Sequence, residues 1–252
     1  MERKIDLIGA ACGLGSKDPG AGNGPEMLFM EKDLSALLEN RGLAIENMDI
    51  LFCEEIPIDA FKEKLAHVVE KSLIEEHFPV VIGGSRCVSE GTWRGANHFI
   101  QKENKDLGLL WIDAHRCPPN YKGQHINSLS GLLGSDLDPL NLCLVSLEEM
   151  KTKGFQKILQ EAVQYLNNRT GAFGVSLNMN VFEPSSASFP LTQEESIQSL
   201  GFLKSEENFV ILEIVECNLL RRIGENIEKF IPDLITCMLE EMPWEKQKKL
   251  YA

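Results

Sequence analysis

The chain has 252 residues and a formal net charge of −13 at pH 7, with 43% hydrophobic and 25% charged residues. This size suits one large α/β domain, and the acidic balance argues against nucleic acid or an anionic membrane as a partner. No apolar run approaches the roughly 18 residues that span a bilayer, no secretion signal is evident, and the seven scattered cysteines predict reduced thiols in a cytoplasmic protein.

Short apolar runs predict strands that alternate with segments of helical periodicity. In chain order, the predicted strands span residues 4–10, 48–56, 78–84, 107–115, 142–146, 172–180 and 209–216. The predicted helices span residues 25–39, 57–73, 90–104, 147–167, 191–204 and 225–242. Pro25 and Pro57 suit the first turn of a helix, and Thr192 with Glu195 predicts a capping box.

The strands are continuous apolar runs, which is typical of a parallel sheet covered by helices on both faces. No repeat, low-complexity segment or linker interrupts the pattern. The sequence therefore predicts a single domain over residues 1–252, an α/β three-layer sandwich with a central, mostly parallel sheet. Trp111 is expected in the core, and His67 and His77 are expected to be structural.

Polar side chains follow four of the predicted strands. In such sheets the functional site lies outside the carboxyl ends of the strands. These positions hold Ser85, Arg86 and Cys87; Asp113, His115 and Cys117; Asn178 and Asn180; and Glu216, Cys217 and Asn218. With His125, which follows soon after the second group, they are expected to converge on one pocket.

Five segments resemble the arginase, agmatinase and formiminoglutamase (ureohydrolase) family. They occur in the family's order, as GAGNGPEML (20–28), GGSRC (83–87), DAHRC (113–117), SLNMNVFEP (176–184) and EIVEC (213–217). The resemblance implies the arginase/deacetylase-like fold and an oligomer, either a trimer or a hexamer. It also implies hydrolysis of guanidino or related C–N bonds by two manganese ions that activate a shared water.

Most positions that hold manganese in the resembled family differ here. The two that match are Asp113 and His115. The family's first histidine ligand falls on Arg86, and three of its carboxylates fall on Cys117, Asn178 and Asn180. By the same resemblance, His125 matches a histidine that shuttles protons, and Glu216 matches the glutamate that grips the substrate guanidinium.

Charge balance argues against two manganese ions at these positions. The family's four aspartates offset four positive charges, whereas Asp113 and Arg86 already sum to zero. A guanidinium carries only donors and cannot ligate a metal, and a unit-charge repulsion at ~4 Å costs ~4 kcal/mol at an effective dielectric of ~20. The sequence therefore predicts that Arg86 replaces one metal and pairs with Asp113 in a buried ion pair, with further hydrogen bonds to Asn178.

Two alternatives keep a hydrolase open. Asp113, His115 and Cys117 point the same way along an extended segment and, with His125 nearby, could hold one zinc or manganese ion. Alternatively, Arg86 could activate the thiol of Cys117 or Cys87, with His115 or His125 as base and Glu216 holding a guanidinium substrate. A purely structural interpretation is that His125 and Glu216 form the hydrogen-bonded rim of a pocket and that Cys117 is a small buried residue.

The loop at 117–125 weakens the case for arginine as substrate, because Pro118 and Pro119 replace the polar residues that read the amino-acid end in arginases. Three hypotheses follow. The chain is a catalytically inactive homologue that acts as a binding or regulatory subunit, for a small guanidino or amine ligand or for an active paralogue. Otherwise it is a divergent C–N hydrolase, or it is a purely structural oligomer.

Overall fold

The computed structural model describes residues 3–16, 19–54, 56–113, 141–145, 152–182, 192–219 and 227–240. The strands are β1 (Lys4–Ala11), β2 (Ala44–Phe52), β3 (Phe78–Gly83), β4 (Leu107–Ile112), β5 (Asn141–Val145), β6 (Ala172–Asn178) and β7 (Phe209–Val215). The α-helices are α1 (Gly24–Glu26), α2 (Leu34–Glu39), α3 (Ile58–Ile74), α4 (Ser89–Lys102), α5 (Phe155–Asn167), α6 (Gln193–Leu200) and α7 (Ile227–Leu239). His115, Cys117, Pro118, Pro119 and His125 lie outside the described residues.

The seven strands form one sheet in the order β2-β1-β3-β7-β6-β4-β5. Every adjacent pair in this sheet is parallel, which confirms the predicted α/β class. Strands β3, β7, β6 and β4 are consecutive, so the carboxyl ends that carry the predicted site residues lie side by side. The expectation that all strands are buried on both faces is wrong for β2, because that strand is at the sheet edge and is mostly exposed.

Helices cover both faces of the sheet and complete the predicted three-layer sandwich. On one face, α3 and α4 pack on the strands through a buried cluster that includes Phe61, Leu65, Trp93, Phe99 and Trp111. On the other face, a second cluster joins the strands to α2, α5, α6 and α7. The prediction that Trp111 is a core residue is confirmed, since it is buried. Among the described residues, no helix has both the length and the apolar character needed to cross a membrane.

Two helix boundaries differ from the prediction for local reasons. The helix expected over residues 25–39 is interrupted before α2, where Asp33 adopts φ 49° and accepts a hydrogen bond from the Ala36 amide at 3.2 Å. That carboxylate starts a new helix, because it satisfies an amide that the first turn leaves unpaired. Helix α5 begins only at Phe155, after Gly154 with φ 85°. The capping box of Thr192 and Glu195 is confirmed.

One carboxyl group is buried in the centre of the sheet. Glu213 on β7 has no exposed surface, and its Oε2 accepts hydrogen bonds from Ser89 Oγ (2.9 Å), Trp93 Nε1 (3.0 Å) and Ser176 Oγ (2.6 Å). Its Oε1 is buried without a hydrogen-bond partner among the described residues. Burial raises the pKa of Glu213, although the hydrogen bonds from its neighbours oppose the shift.

Replacing this group with a neutral isostere is expected to change how stability depends on pH. The pKa of Glu213 is higher in the folded than in the unfolded chain. The contribution of Glu213 to the free energy of unfolding is therefore fully present below the pKa of an ordinary glutamate, and it is lost as pH rises toward the folded pKa. Glu213→Gln cannot ionise, so the free energy of unfolding of the wild type should fall relative to that of the variant between pH 5 and pH 8. Urea unfolding at both pH values measures the difference, with the exposed Glu63→Gln as control. Parallel pH profiles for the wild type and Glu213→Gln would contradict the assignment.

Candidate functional site

The turns after β3 and β7 place the first two site residues. Arg86 opens a short 3₁₀ turn after β3, and the Ser85 side chain caps that turn by accepting a hydrogen bond from the Cys87 amide at 3.2 Å. Glu216 follows β7 with φ 60°, and its amide donates to the Gly84 carbonyl at 2.8 Å. The two turns are therefore bonded to each other, which fixes Arg86 and Glu216 on neighbouring strands.

The predicted ion pair between Arg86 and Asp113 is present. Nη1 of Arg86 lies 3.0 Å from Oδ2 of Asp113. The Asp113 side chain is 7% exposed, whereas that of Arg86 is 45% exposed. The pair is therefore buried on the carboxylate side only, which corrects the expectation of a buried pair. The Arg86 side chain stays partly in contact with water, so the desolvation penalty is smaller than for two buried charges.

Asn178 supplies a second donor to the same carboxylate oxygen. Its Nδ2 lies 3.1 Å from Asp113 Oδ2, and its Oδ1 accepts a hydrogen bond from the Asn180 amide at 2.9 Å. The two bonds fix the orientation of the Asn178 amide, with the NH₂ group toward Asp113. The predicted hydrogen bond between the ion pair and Asn178 is present, and its acceptor is the carboxylate of Asp113.

An aspartate at position 178 would lack this NH₂ donor and would place a second carboxylate beside Asp113. Such an arrangement would need an added cation or proton. Two carboxylate oxygens about 3 Å apart repel one another unless something positive lies between them. Arg86 and Asn178 together satisfy Asp113 with donors from the chain itself. Asn180 lies two residues further along the chain, and its side chain is partly buried. Among the described residues, only the backbone amide of Asn180 takes part in these contacts.

Glu216 is held by two donors from other loops. Its Oε2 accepts from Ser16 Oγ at 2.9 Å, and its Oε1 accepts from the Arg86 amide at 3.3 Å. Ser16 was not predicted as a site residue. A signal existed, since Ser16 follows β1, whose carboxyl end opens on the same edge as that of β3. Arg86, Asp113 and Glu216 together carry a net charge of −1.

Three cysteines lie behind this cluster, each after one of the adjacent strands β2, β1 and β3. Cys87 Sγ lies 3.3 Å from Cys12 Sγ and accepts a hydrogen bond from Ser85 Oγ at 2.8 Å. The hydrogen bond with Cys12 and that from Ser85 lower the pKa of Cys87 to about 7, with help from the charge of Lys62 and against the effect of burial. Cys53 contributes a further contact to Cys12.

A different group of potential metal ligands lies near the amino ends of β1 and β3. Asp6, Glu75 and His77 bring one ligand atom each within 4.8 Å of the others. Both carboxylate oxygens of Asp6 lie 3.1 Å from Nδ1 of the buried His77, and Asn47 donates to Asp6 at 2.9 Å. These contacts describe a hydrogen-bonded Asp–His pair, in agreement with the structural role predicted for His77.

Comparisons with known proteins show similarity to arginases. A sequence model of the arginase family matches residues 3–117, which include Arg86 and Asp113. The crystal structure of an arginase from Bacillus subtilis superposes with a TM-score of 0.72 at 22% identity, over 95% of this chain and 99% of that chain. The amino-terminal part of the chain is therefore similar to the arginase family, and the chain shares the fold of this arginase.

Two curated relatives that are more than 30% identical align with less than half of this chain. A formimidoylglutamase from Aeromonas hydrophila is 31% identical over 115 residues, which cover 44% of this chain and 36% of the relative. An arginase from Bacillus subtilis is 32% identical over 127 residues, which cover 46% of this chain and 41% of the relative. The aligned part therefore spans about two fifths of the length of these relatives.

Proposed function

We propose that this chain is a non-hydrolytic member of the arginase family that binds a small guanidino or amine ligand and acts as a binding or regulatory subunit. One observation carries the proposal. One carboxylate oxygen of Asp113, Oδ2, accepts hydrogen bonds from Arg86 at 3.0 Å and from Asn178 at 3.1 Å. Donors from the chain occupy the place of a cation.

The residues do not fit a manganese pair. Arg86 cannot ligate and brings a positive charge to the carboxylate that would bind the metal. Asn178 presents its NH₂ group to Asp113, and its oxygen is engaged by the Asn180 amide. A metal at Asp113 would have to displace a guanidinium and rotate an amide that is held at both ends.

The charge of the site supports a monovalent cationic ligand. Once Arg86 and Asp113 neutralise one another, the carboxylate of Glu216 remains as the excess negative charge. Its position is fixed by Ser16 and by the Arg86 amide. A preorganised carboxylate pairs well with a planar guanidinium or an ammonium group, because charge-assisted hydrogen bonds are about twice as strong as neutral ones.

Metal content is the first test. Protein purified without chelator and dialysed against manganese and zinc is expected to retain well below one ion per chain by elemental mass spectrometry. Two equivalents of manganese would overturn the proposal. About one equivalent of zinc would instead support a hydrolase with Asp113, His115 and Cys117 as ligands.

Ligand binding is tested by thermal shift with agmatine, arginine and lysine as probes. A ligand that binds only the native state stabilises it by ~2.7 kcal/mol at a concentration about a hundredfold above its Kd. Glu216→Gln is expected to abolish the shift, whereas the exposed Glu63→Gln should preserve it. Equal shifts in both variants would remove Glu216 from the site, and no shift with any probe in the wild type would favour a purely structural oligomer.

A second candidate function rests on the Cys87 thiol. Its pKa of about 7 leaves a large thiolate fraction at neutral pH. In a C–N hydrolase of this kind the sulfur would add to the guanidinium carbon, the amine would leave with a proton, and water would cleave the S–C bond. A covalent adduct on Cys87 in wild type incubated with a guanidino substrate, seen by mass spectrometry and absent in Cys87→Ser, would favour this function.

A further inference from the structure

The turns after β1 and β3 bring two thiols into contact beside the candidate site. Cys12 is fully buried, and Cys87 is half-buried at the residue after Arg86. Their sulfurs lie 3.3 Å apart. The backbone holds them there, since the Ser85 amide donates to the Cys12 carbonyl at 2.7 Å and the Gly84 amide donates to the Ala10 carbonyl at 3.0 Å.

We propose that Cys12 and Cys87 form a redox-active pair that hydroperoxides convert into a disulfide. Cys87 is the peroxide-reactive thiol and Cys12 is the resolving thiol. The assignment follows from accessibility and contact, because a peroxide from solvent can reach the half-buried Cys87 but not the fully buried Cys12. The sulfurs need to approach by only ~1.3 Å to reach the ~2.05 Å of a disulfide bond.

The reaction balances in two steps. The thiolate of Cys87 attacks one oxygen of the hydroperoxide, so an S–O bond forms and the O–O bond breaks. The leaving oxygen takes a proton from solvent, and Cys87 becomes a sulfenic acid. The sulfur of Cys12 then attacks the sulfur of Cys87, the S–O bond breaks, and the hydroxyl leaves as water with the proton of the Cys12 thiol.

The surroundings of Cys87 favour its thiolate over that of Cys12. The hydrogen bond between Cys87 and Cys12 and that from Ser85 lower the pKa of Cys87 to about 7. The positive charge of Lys62 on α3 acts in the same direction, whereas burial and the Glu216 carboxylate oppose the shift. The pKa of Cys12 is raised by its hydrogen bond to Cys87 and by burial. Cys12 therefore keeps its proton until it attacks the sulfenic acid.

A metal bound by three thiolates is a weaker explanation of the same residues. Cys53 lies beyond Cys12, but the three sulfurs do not all come within 4.8 Å of one another. Among the described residues, only Asp6, Glu75 and His77 form a group of three potential ligands at that spacing. The short contact joins Cys12 and Cys87 alone, which is the arrangement that disulfide formation requires.

The test exposes the reduced full-length protein to hydrogen peroxide, blocks the remaining thiols with an alkylating reagent, and maps peptides by mass spectrometry. The expected product is a cross-linked peptide that contains Cys12 and Cys87, about 2 Da lighter than the two thiol peptides, and that is lost on reduction. The rate of its formation should rise between pH 6 and pH 8 as Cys87 ionises. Cys237, a partly buried cysteine whose pKa burial raises to about 12, serves as the internal control and should remain a thiol.

Two variants separate the roles. Cys12→Ser should leave a sulfenic acid on Cys87 that dimedone traps, and Cys87→Ser should leave Cys12 unoxidised. The proposal would be overturned if Cys87 is oxidised no faster than Cys237 in the wild type. It would also be overturned if the oxidised wild type yields no Cys12–Cys87 peptide. Both measurements use the wild type, so they hold even if neither variant folds. The outcome is independent of metal content and of ligand binding, so it separates this proposal from the proposed function.

Discussion

A variant that carries Arg86→His, Cys117→Asp, Asn178→Asp and Asn180→Asp is expected to bind about two manganese ions per chain. The reason is charge balance and ligand chemistry. Together with Asp113, the variant supplies four carboxylates and removes the guanidinium, so four negative charges meet the four positive charges of two dications. Elemental mass spectrometry after dialysis measures the metal, and the melting temperature should rise with manganese in the variant and not in the wild type.

The single substitution Asn178→Asp is the matched control for the four-residue variant. It removes the hydrogen bond to Asp113 and places a second carboxylate at the same spot, while Arg86 still repels a cation. We expect it to lose ~3 kcal/mol of stability and to bind no manganese. If this variant is as stable as the wild type, Asn178 does not satisfy Asp113 as described. If the four-residue variant binds no metal, the altered residues are not what prevents binding.

Gly24→Ala is expected to destabilise the folded chain strongly. Gly24 starts α1 and is buried, and a Cβ atom at this position would overlap the carbonyl oxygen of Cys217. Neither backbone can yield easily, so the turn that carries Glu216 would be pushed aside. We expect a loss of ~3 kcal/mol, or a fall in melting temperature of roughly 6–12 °C for a chain of this size.

Gly201→Ala provides the control for Gly24→Ala. Gly201 has φ −60°, and a Cβ there would lie 3.7 Å from the Cys237 carbonyl oxygen, which is an ordinary contact. Its stability should stay within ~1 kcal/mol of the wild type. Differential scanning calorimetry measures the melting temperatures of the two variants. Equal melting temperatures would mean that the segment containing Gly24 can move away from Cys217 without a loss of stability.

The sheet and the location of the site could be predicted from sequence because both depend on simple patterns. Continuous apolar runs separated by helical periodicity leave few topologies other than a parallel sheet. Polar residues at the strand ends then mark the functional edge. The pair of Arg86 and Asp113 was predicted from the family resemblance together with charge, because the resemblance places Arg86 at a metal-ligand position and a guanidinium there needs a carboxylate to neutralise it.

The details that sequence reasoning missed depend on contacts across several turns. Ser16 and Cys12 belong to the loop after β1. Their position after a strand indicates the correct edge of the sheet, but nothing in their local sequence shows that they reach Glu216 and Cys87. The order of the strands places those loops together, and strand order is not visible as a periodicity. The break before α2 depends on one residue, Asp33, that adopts a left-handed conformation, and helix propensity describes such positions poorly.

The two hydrogen bonds of Asn178 couple the effects of substitutions at positions 86, 113 and 178. Its NH₂ group satisfies Asp113 and its oxygen satisfies the Asn180 amide. An aspartate at 178 alone introduces repulsion without gaining a metal, and a histidine at 86 alone leaves Asp113 without its permanent positive charge. Each substitution made alone is therefore expected to be harmful, and the effects of substitutions at these positions on stability are expected to be non-additive.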